Sequence, residues 1–111
     1  MTEITIEPAE SMVVVRAGGA VIVESVDALI LRETGYDPVF YFPREDALTF
    51  LEASTTRTTC PHKGEASYFN IVTKSGPIQD AAWSYETPVD GMDVIKELIA
   101  FGHERVAVEQ L

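Results

Sequence analysis

A mainly β fold is what this sequence predicts, from three observations. Short runs of β-branched and aromatic residues recur along its 111 residues. Glycine, proline and other turn residues separate them at close intervals. Only one stretch carries helical spacing strong enough to suggest a helix.

The elements follow in chain order. Ile4 and Ile6 alternate with polar residues, as on a half-buried strand. Met12-Val13-Val14-Val15-Arg16 and Ala20-Val21-Ile22-Val23-Glu24 flank Gly18-Gly19, the pattern of a β-hairpin. Ala28-Leu29-Ile30-Leu31 is ambiguous by periodicity and is assigned as a strand. Gly35 and Pro38 mark a loop before the aromatic strand Val39-Phe40-Tyr41-Phe42. Pro43 then suits the start of a helical turn, with Glu45 and Asp46 in its first positions. Thr55 to Thr59 and Ser67 to Lys74 read as strands. The second has Tyr68 and Phe69 on opposite faces. Ser75-Gly76-Pro77 predicts a turn, and Ala81 to Tyr85 another strand. The one helix candidate spans residues 92–98 near the C-terminus, with Asp90 as a possible N-cap. Val106 and Val108 close the chain as a last strand.

Length fits one domain over 1–111, and 46% hydrophobic residues suffice for one core. The formal charge of −10 argues against nucleic acid and anionic membranes as partners. No apolar run approaches the ~20 residues that span a membrane. The N-terminus lacks the basic start and apolar stretch of a secretory signal, so a cytoplasmic location is expected. A single cysteine, Cys60, excludes an internal disulfide and suits a reducing compartment. Self-association stays open.

Chemistry concentrates in Cys60-Pro61-His62-Lys63-Gly64. Cys60 and His62, two apart, suggest a metal. A structural zinc site, however, usually needs four ligands, and the chain offers one cysteine and two histidines, His62 and His103. Neither a metal nor a cofactor is expected. Cys60 is also a candidate nucleophile. Lys63 is a nearby cation of the kind that favours a thiolate, and His62 or His103 are candidate bases. Lys63-Gly64 lacks the glycine-rich lead-in of a phosphate loop, and Gly64 is better explained by a turn. Arg44, Arg57 and Lys63 together are a local cluster of cations suited to an anion. Tyr41, Tyr68 and Trp83 are better pocket residues than Phe40 or Phe42, because each keeps a polar tip.

Three blocks carry a family resemblance. They are Tyr41-Phe42-Pro43-Arg44-Glu45-Asp46, then Thr59-Cys60-Pro61-His62-Lys63-Gly64-Glu65-Ala66-Ser67-Tyr68, then Ala82-Trp83-Ser84-Tyr85. In this order they resemble the bacterial and fungal family called domain of unknown function 427 (DUF 427), across nearly the whole chain. The resemblance implies a small single domain of β-tent type. Such a domain has two roughly orthogonal antiparallel sheets, here with one short helix near the C-terminus. Zinc-bearing β-tent relatives hold their metal through paired CxxC motifs, which are absent here, so no zinc is implied. His62 stands where the family usually has an aromatic residue, so the resemblance gives that histidine no role.

The expectation drawn from all this is a small-molecule pocket where the three blocks meet. Arg44 and Lys63 bind an anionic or carbonyl-bearing ligand, and Tyr41, Tyr68 and Trp83 form the wall. Cys60 sits at the edge, and Asp46 orients Arg44 or acts as a base. Two other readings stand beside it: a thiol-dependent enzyme using Cys60, and a non-catalytic protein-interaction module.

Overall fold

The computed structural model describes residues 3–111, and strands dominate it. They run β1 (Ile4–Pro8), β2 (Val13–Ala17), β3 (Ala20–Ser25), β4 (Leu29–Glu33) and β5 (Val39–Phe42). A short helix, α1 (Arg44–Ala47), and a 3₁₀ turn (Leu48–Phe50) follow. Next come β6 (Leu51–Cys60), β7 (Gly64–Thr73) and β8 (Gly76–Ser84), a second 3₁₀ turn (Asp93–Ile95), β9 (Ile99–Phe101) and β10 (Val106–Gln110). Seven strands form one sheet in the order β1-β4-β5-β9-β8-β7-β6, and three form a second in the order β10-β2-β3. Every strand pair in both sheets is antiparallel. Among the described residues, no helix is long and apolar enough to cross a membrane.

Alternation along each strand gives the large sheet two different faces. Phe42, Phe69, Ile71, Ala82, Ile99 and Phe101 point toward the small sheet and meet Val13, Val15 and Val23 in the main core. There the Phe42 and Phe101 rings meet edge-on, 5.6 Å apart at 74°, a favoured aromatic geometry. The neighbours of these residues point the other way. Leu31, Tyr41, Ala66, Tyr85 and Ala100 form a second apolar cluster on the outer face, joined by Met92 and Ile95. Residues 86–98 therefore lie against the outer face, and the central strands of the sheet are covered on both sides.

The β2–β3 hairpin is a two-residue turn with positive φ at both Gly18 (59°) and Gly19 (81°), the pattern of a type I′ turn. The two glycines differ in surroundings. A Cβ on Gly18 would stand 2.8 Å from the Thr73 Cβ of the large sheet, while one on Gly19 would meet nothing within 4 Å. Gly19→Ala is therefore expected to cost only the backbone strain, about 1 kcal/mol. Gly18→Ala adds an overpacked contact between the sheets and should cost about 2–3 kcal/mol. Denaturant midpoints of the two variants check this, and equal losses would mean that the sheets separate freely at this point.

The structure departs from the sequence pattern at two places. The helix expected over residues 92–98 near the C-terminus is not formed. Only Asp93–Ile95 coils, as a 3₁₀ turn, and the α-helix of the fold is the mid-chain Arg44–Ala47. The reason is competition from Tyr85, just past the end of β8, which forms an isolated bridge with Lys96. Lys96 turns extended at φ −54° and ψ 126°, and Glu97 adopts φ 63°. The Glu97 amide then donates to the Tyr85 carbonyl at 3.0 Å. A seven-residue helix carries a nucleation cost that few internal bonds offset. The apolar spacing of Met92, Ile95 and Leu98 is used nonetheless, since all three pack on the outer-face cluster. The turn expected at Ser75-Gly76-Pro77 lies one residue earlier. It falls at Lys74 and Ser75, and Pro77 pairs with Val72 inside β8.

Irregularities line up across β6, β7 and β8. Ser54, Thr55 and Thr56 fall out of register between Ala53 and Arg57, and the β7–β8 register shifts between Phe69 and Ile71. Asp80 sits beside them at φ 53°. Its carboxylate accepts the Ser54 and Thr56 hydroxyls, and its amide donates to Asn70 Oδ1 at 3.0 Å. Those two hydroxyls hold the Asp80 carboxyl below its ordinary pKa.

Candidate functional site

The outer face of the large sheet carries most of the residues singled out from the sequence. Registers align Leu29 with Tyr41, Tyr41 with Ala100, Ala100 with Trp83, and Trp83 with Tyr68. These five residues form one transverse row across β4, β5, β9, β8 and β7. Small residues in β9 and just after it make room for the indole. A Cβ on Gly102 would stand 2.9 Å from the Trp83 ring. Tyr68 and Trp83 lie 6.2 Å apart with tilted rings. The Tyr68 hydroxyl lies 3.0 Å from the Thr58 hydroxyl.

The row is not uniformly accessible. Tyr41 is 1% exposed and belongs to the buried floor, whereas Tyr68 and Trp83 are half-buried. Burial raises the Tyr41 phenol well above its ordinary pKa. The nearby Tyr85, Cys60 and Glu33 add to the rise, and the Trp83 side chain opposes it. Tyr85, 7% exposed, is pushed up to about 12, first by burial and then by Cys60, Tyr68 and Glu33.

Cys60 and Lys63 stand at the two ends of the β6–β7 turn. The Lys63 amide donates to the Cys60 carbonyl at 3.2 Å, closing a four-residue turn with Pro61 in its second position. Gly64 follows at φ 119°. A Cβ there would stand 3.3 Å from the Thr87 carbonyl oxygen, so only glycine lets residues 87–89 approach. The Val89 amide then donates to the Lys63 carbonyl at 2.9 Å. Backbone bonds on both sides thus fix where the Lys63 side chain starts.

That side chain reaches inward. Nζ donates to Glu33 Oε1 at 3.0 Å and lies 3.9 Å from Cys60 Sγ. The side chains of Lys63 and Glu33 are only 12% and 6% exposed. Glu33 ends the alternating series Leu29-Leu31-Glu33 on β4, which brings its carboxylate to the same face as Tyr41. A cavity of about 330 Å³ opens beside the pair. Its sheet-side wall is Leu31, Glu33 and Val39, and the β6–β7 turn supplies Cys60 to Lys63. Tyr36 and Asp37, from the loop after β4, form the opposite wall.

Arg44 and Asp46 do not join this group. Phe42, immediately before them in the chain, faces the main core, and α1 leaves the sheet on that side. The Arg44 guanidinium stacks 5.5 Å over the Phe69 ring. It donates to both carboxylate oxygens of Glu86 at 3.1 Å and to the Glu97 carbonyl at 2.9 Å. It also reaches the Ser84 hydroxyl at 3.3 Å. Arg44 therefore clips residues 86–97 to the body of the protein with the two-pronged geometry that guanidinium favours. Asp46 accepts the Ser25 hydroxyl at 2.8 Å and makes a separate tie between α1 and β3. The cation cluster expected at an anion is likewise divided. Arg57 donates to the carbonyls of Ser54 and Thr56, away from Lys63. Among the described residues, no three His, Cys, Asp or Glu side chains gather where a metal ion could be held. His103 instead accepts the Arg105 amide at Nδ1, at 3.0 Å.

Sequence reasoning missed two participants. Glu33 was legible as an inward position of an alternating strand, a signal worth following wherever a carboxylate takes an apolar slot. Tyr36 carried no such signal, because loop residues have no periodicity to read.

The family model described as domain of unknown function (DUF427) matches residues 5–110, nearly the whole chain. No curated protein matches the chain.

Proposed function

Because this chain belongs to the DUF427 family, whose description names no reaction, we propose its function from the site alone: it binds a small carbonyl-bearing molecule in the cavity beside Lys63. The observation that carries this reading is the buried Lys63–Glu33 pair at the cavity wall. An ammonium has three N–H donors, and Glu33 takes one. A remaining donor is available to an oxygen acceptor that enters the cavity. Glu33 and Asp37 give the lining two carboxylates against one ammonium, so an uncharged carbonyl suits it better than an anion. A volume of about 330 Å³ is at the small end of ligand cavities. Tyr36 supplies an aromatic wall, Cys60 faces the ligand, and Trp83 with Tyr68 extends the same face. Arg44 and Asp46 act elsewhere, as structural ties.

Amide-resonance titration with a matched amide, ketone and carboxylate tests the reading. Saturable shifts around Cys60 to Lys63 are expected for the neutral carbonyl compounds. Tyr36→Ala, at a residue 71% exposed, should leave the fold intact and weaken binding about tenfold, the loss of ~1.4 kcal/mol of contact. Tighter binding of the carboxylate than of the neutral compounds would overturn the assignment.

The 3.9 Å approach of Lys63 Nζ to Cys60 Sγ supports a second reading, a thiol-dependent enzyme. It requires Cys60 to be alkylated rapidly by iodoacetamide near neutral pH in the folded protein. Alkylation only after denaturation would exclude it.

A further inference from the structure

A cleft larger than the Lys63 cavity lies elsewhere. It is about 540 Å³ and runs between the tip of the β2–β3 hairpin and the far end of β7. Backbone and small side chains from Ala17 to Ala20 make one side. Ile22, Phe50 and Val72 supply apolar surface, and Lys74 stands at the rim. Phe50 and Val72 are 38% and 46% exposed, so the cleft presents apolar side chains to solvent. The hairpin tip is seated firmly, since Gly18 abuts Thr73 too closely to admit even a Cβ. The cleft is therefore preformed, not a gap between sliding sheets.

Charge distinguishes it further. The chain carries 18 acidic residues against 8 lysines and arginines, yet none of the acidic ones lines this cleft. Arg16, Arg32, Arg44 and Lys63 each sit in an ion pair with a carboxylate. Lys74 appears in no ion pair or side-chain hydrogen bond among the described residues. An apolar trough ending in an uncommitted ammonium, on a strongly anionic protein, is complementary to one chemical type.

We propose that this cleft is a second binding site, for an amphipathic monoanion: a medium-chain or aryl carboxylate. Its hydrocarbon lies along Ile22, Phe50 and Val72, and its carboxylate pairs with Lys74. The site is separate in place and in ligand charge from the Lys63 cavity, so either assignment can fail alone.

Octanoate below its micellar concentration, with octylamine as the cationic match, tests it by amide-resonance titration. Octanoate should produce saturable shifts at the Gly18–Gly19 turn, Phe50 and Val72 to Lys74, and octylamine should not. Lys74→Gln should weaken octanoate about two- to fivefold, as expected for a partly exposed ion pair. Lys74→Glu, at an exposed position that leaves the fold unaffected, should weaken octanoate further than Lys74→Gln does and should favour octylamine over octanoate. Equal binding of the two probes, shifts confined to the Cys60–Lys63 turn, or no saturation at all would each overturn the proposal. Shifts at the cleft on simple dilution would also overturn it, because a second copy of the chain would then be the occupant.

Discussion

Replacing Lys63 by methionine is expected to cost the fold about 3–5 kcal/mol, as for a buried pair that loses one partner. The size follows from what is left behind. Glu33 is 6% exposed at its side chain and has the Lys63 ammonium at 3.0 Å. Methionine keeps the apolar stem and removes only the charge, leaving a carboxylate desolvated and unpaired. The double variant Glu33→Leu with Lys63→Met should recover most of the loss, because it replaces the ion pair with apolar volume on an already apolar face. Denaturant unfolding of the single and double variants measures the coupling. A single variant costing under about 1 kcal/mol would show that water reaches the pair and that it behaves like a surface bridge. The cycle bears on function too. If the double variant is stable but no longer binds a carbonyl probe, stability and recognition have been separated at one site.

Alkaline unfolding is the second large effect, and it comes from the tyrosines of the outer face. Tyr85 in the folded protein is pushed up to about 12, and Tyr41 is raised as well. An unfolded tyrosine titrates near ~10. Between those values the unfolded chain releases protons that the native protein retains, so stability falls as pH rises. The contribution is fully present below pH ~10 and is lost as pH climbs through the folded values. For Tyr85 alone this amounts to about 3 kcal/mol, at roughly 1.4 kcal/mol per unit. Unfolding midpoints taken across this range, with tyrosinate absorbance followed in parallel, should show a steep drop. Tyr41→Phe combined with Tyr85→Phe should flatten it. An unchanged slope in that double variant would place the alkaline sensitivity elsewhere.

Strands were the most legible part of this molecule, because period-two alternation states both the element and its faces. Tyr68 and Phe69 were separated correctly from sequence, and the Gly18–Gly19 hairpin was visible from its turn residues. The distribution of strands between two sheets was not readable, since nothing local to β2 says that β10 will be its neighbour. The segment 92–98 misled for a physical reason: an apolar spacing of three serves a 3₁₀ turn over a cluster as well as it serves a helix. At the site, Cys60, Lys63, Tyr41, Tyr68 and Trp83 share a face because all lie on, or turn from, strands of known parity. Arg44 escaped that reasoning. It lies past the end of β5, where parity no longer applies, and the turn into α1 carries it to the opposite face. Its partners, the Glu86 carboxylate and the Glu97 carbonyl, come from the two ends of the segment that covers the outer face, more than forty residues away in sequence.

The tied irregularity at Ser54 to Thr56 has a consequence for how this protein behaves in a crowded solution. β6 is the last strand of the large sheet and is ten residues long. An uninterrupted edge of that length is a template onto which another extended chain can add. Here the displaced residues divide it into two short paired stretches, Leu51 to Ala53 and Arg57 to Cys60. The hydroxyl bonds to Asp80 hold the bend in place, and Arg57 puts a charge where the second stretch begins. The same strand that ends beside Cys60 is thereby made a poor seed for edge-to-edge aggregation. Loosening the bend by Asp80→Ala would surrender that protection before it altered the turn at Lys63.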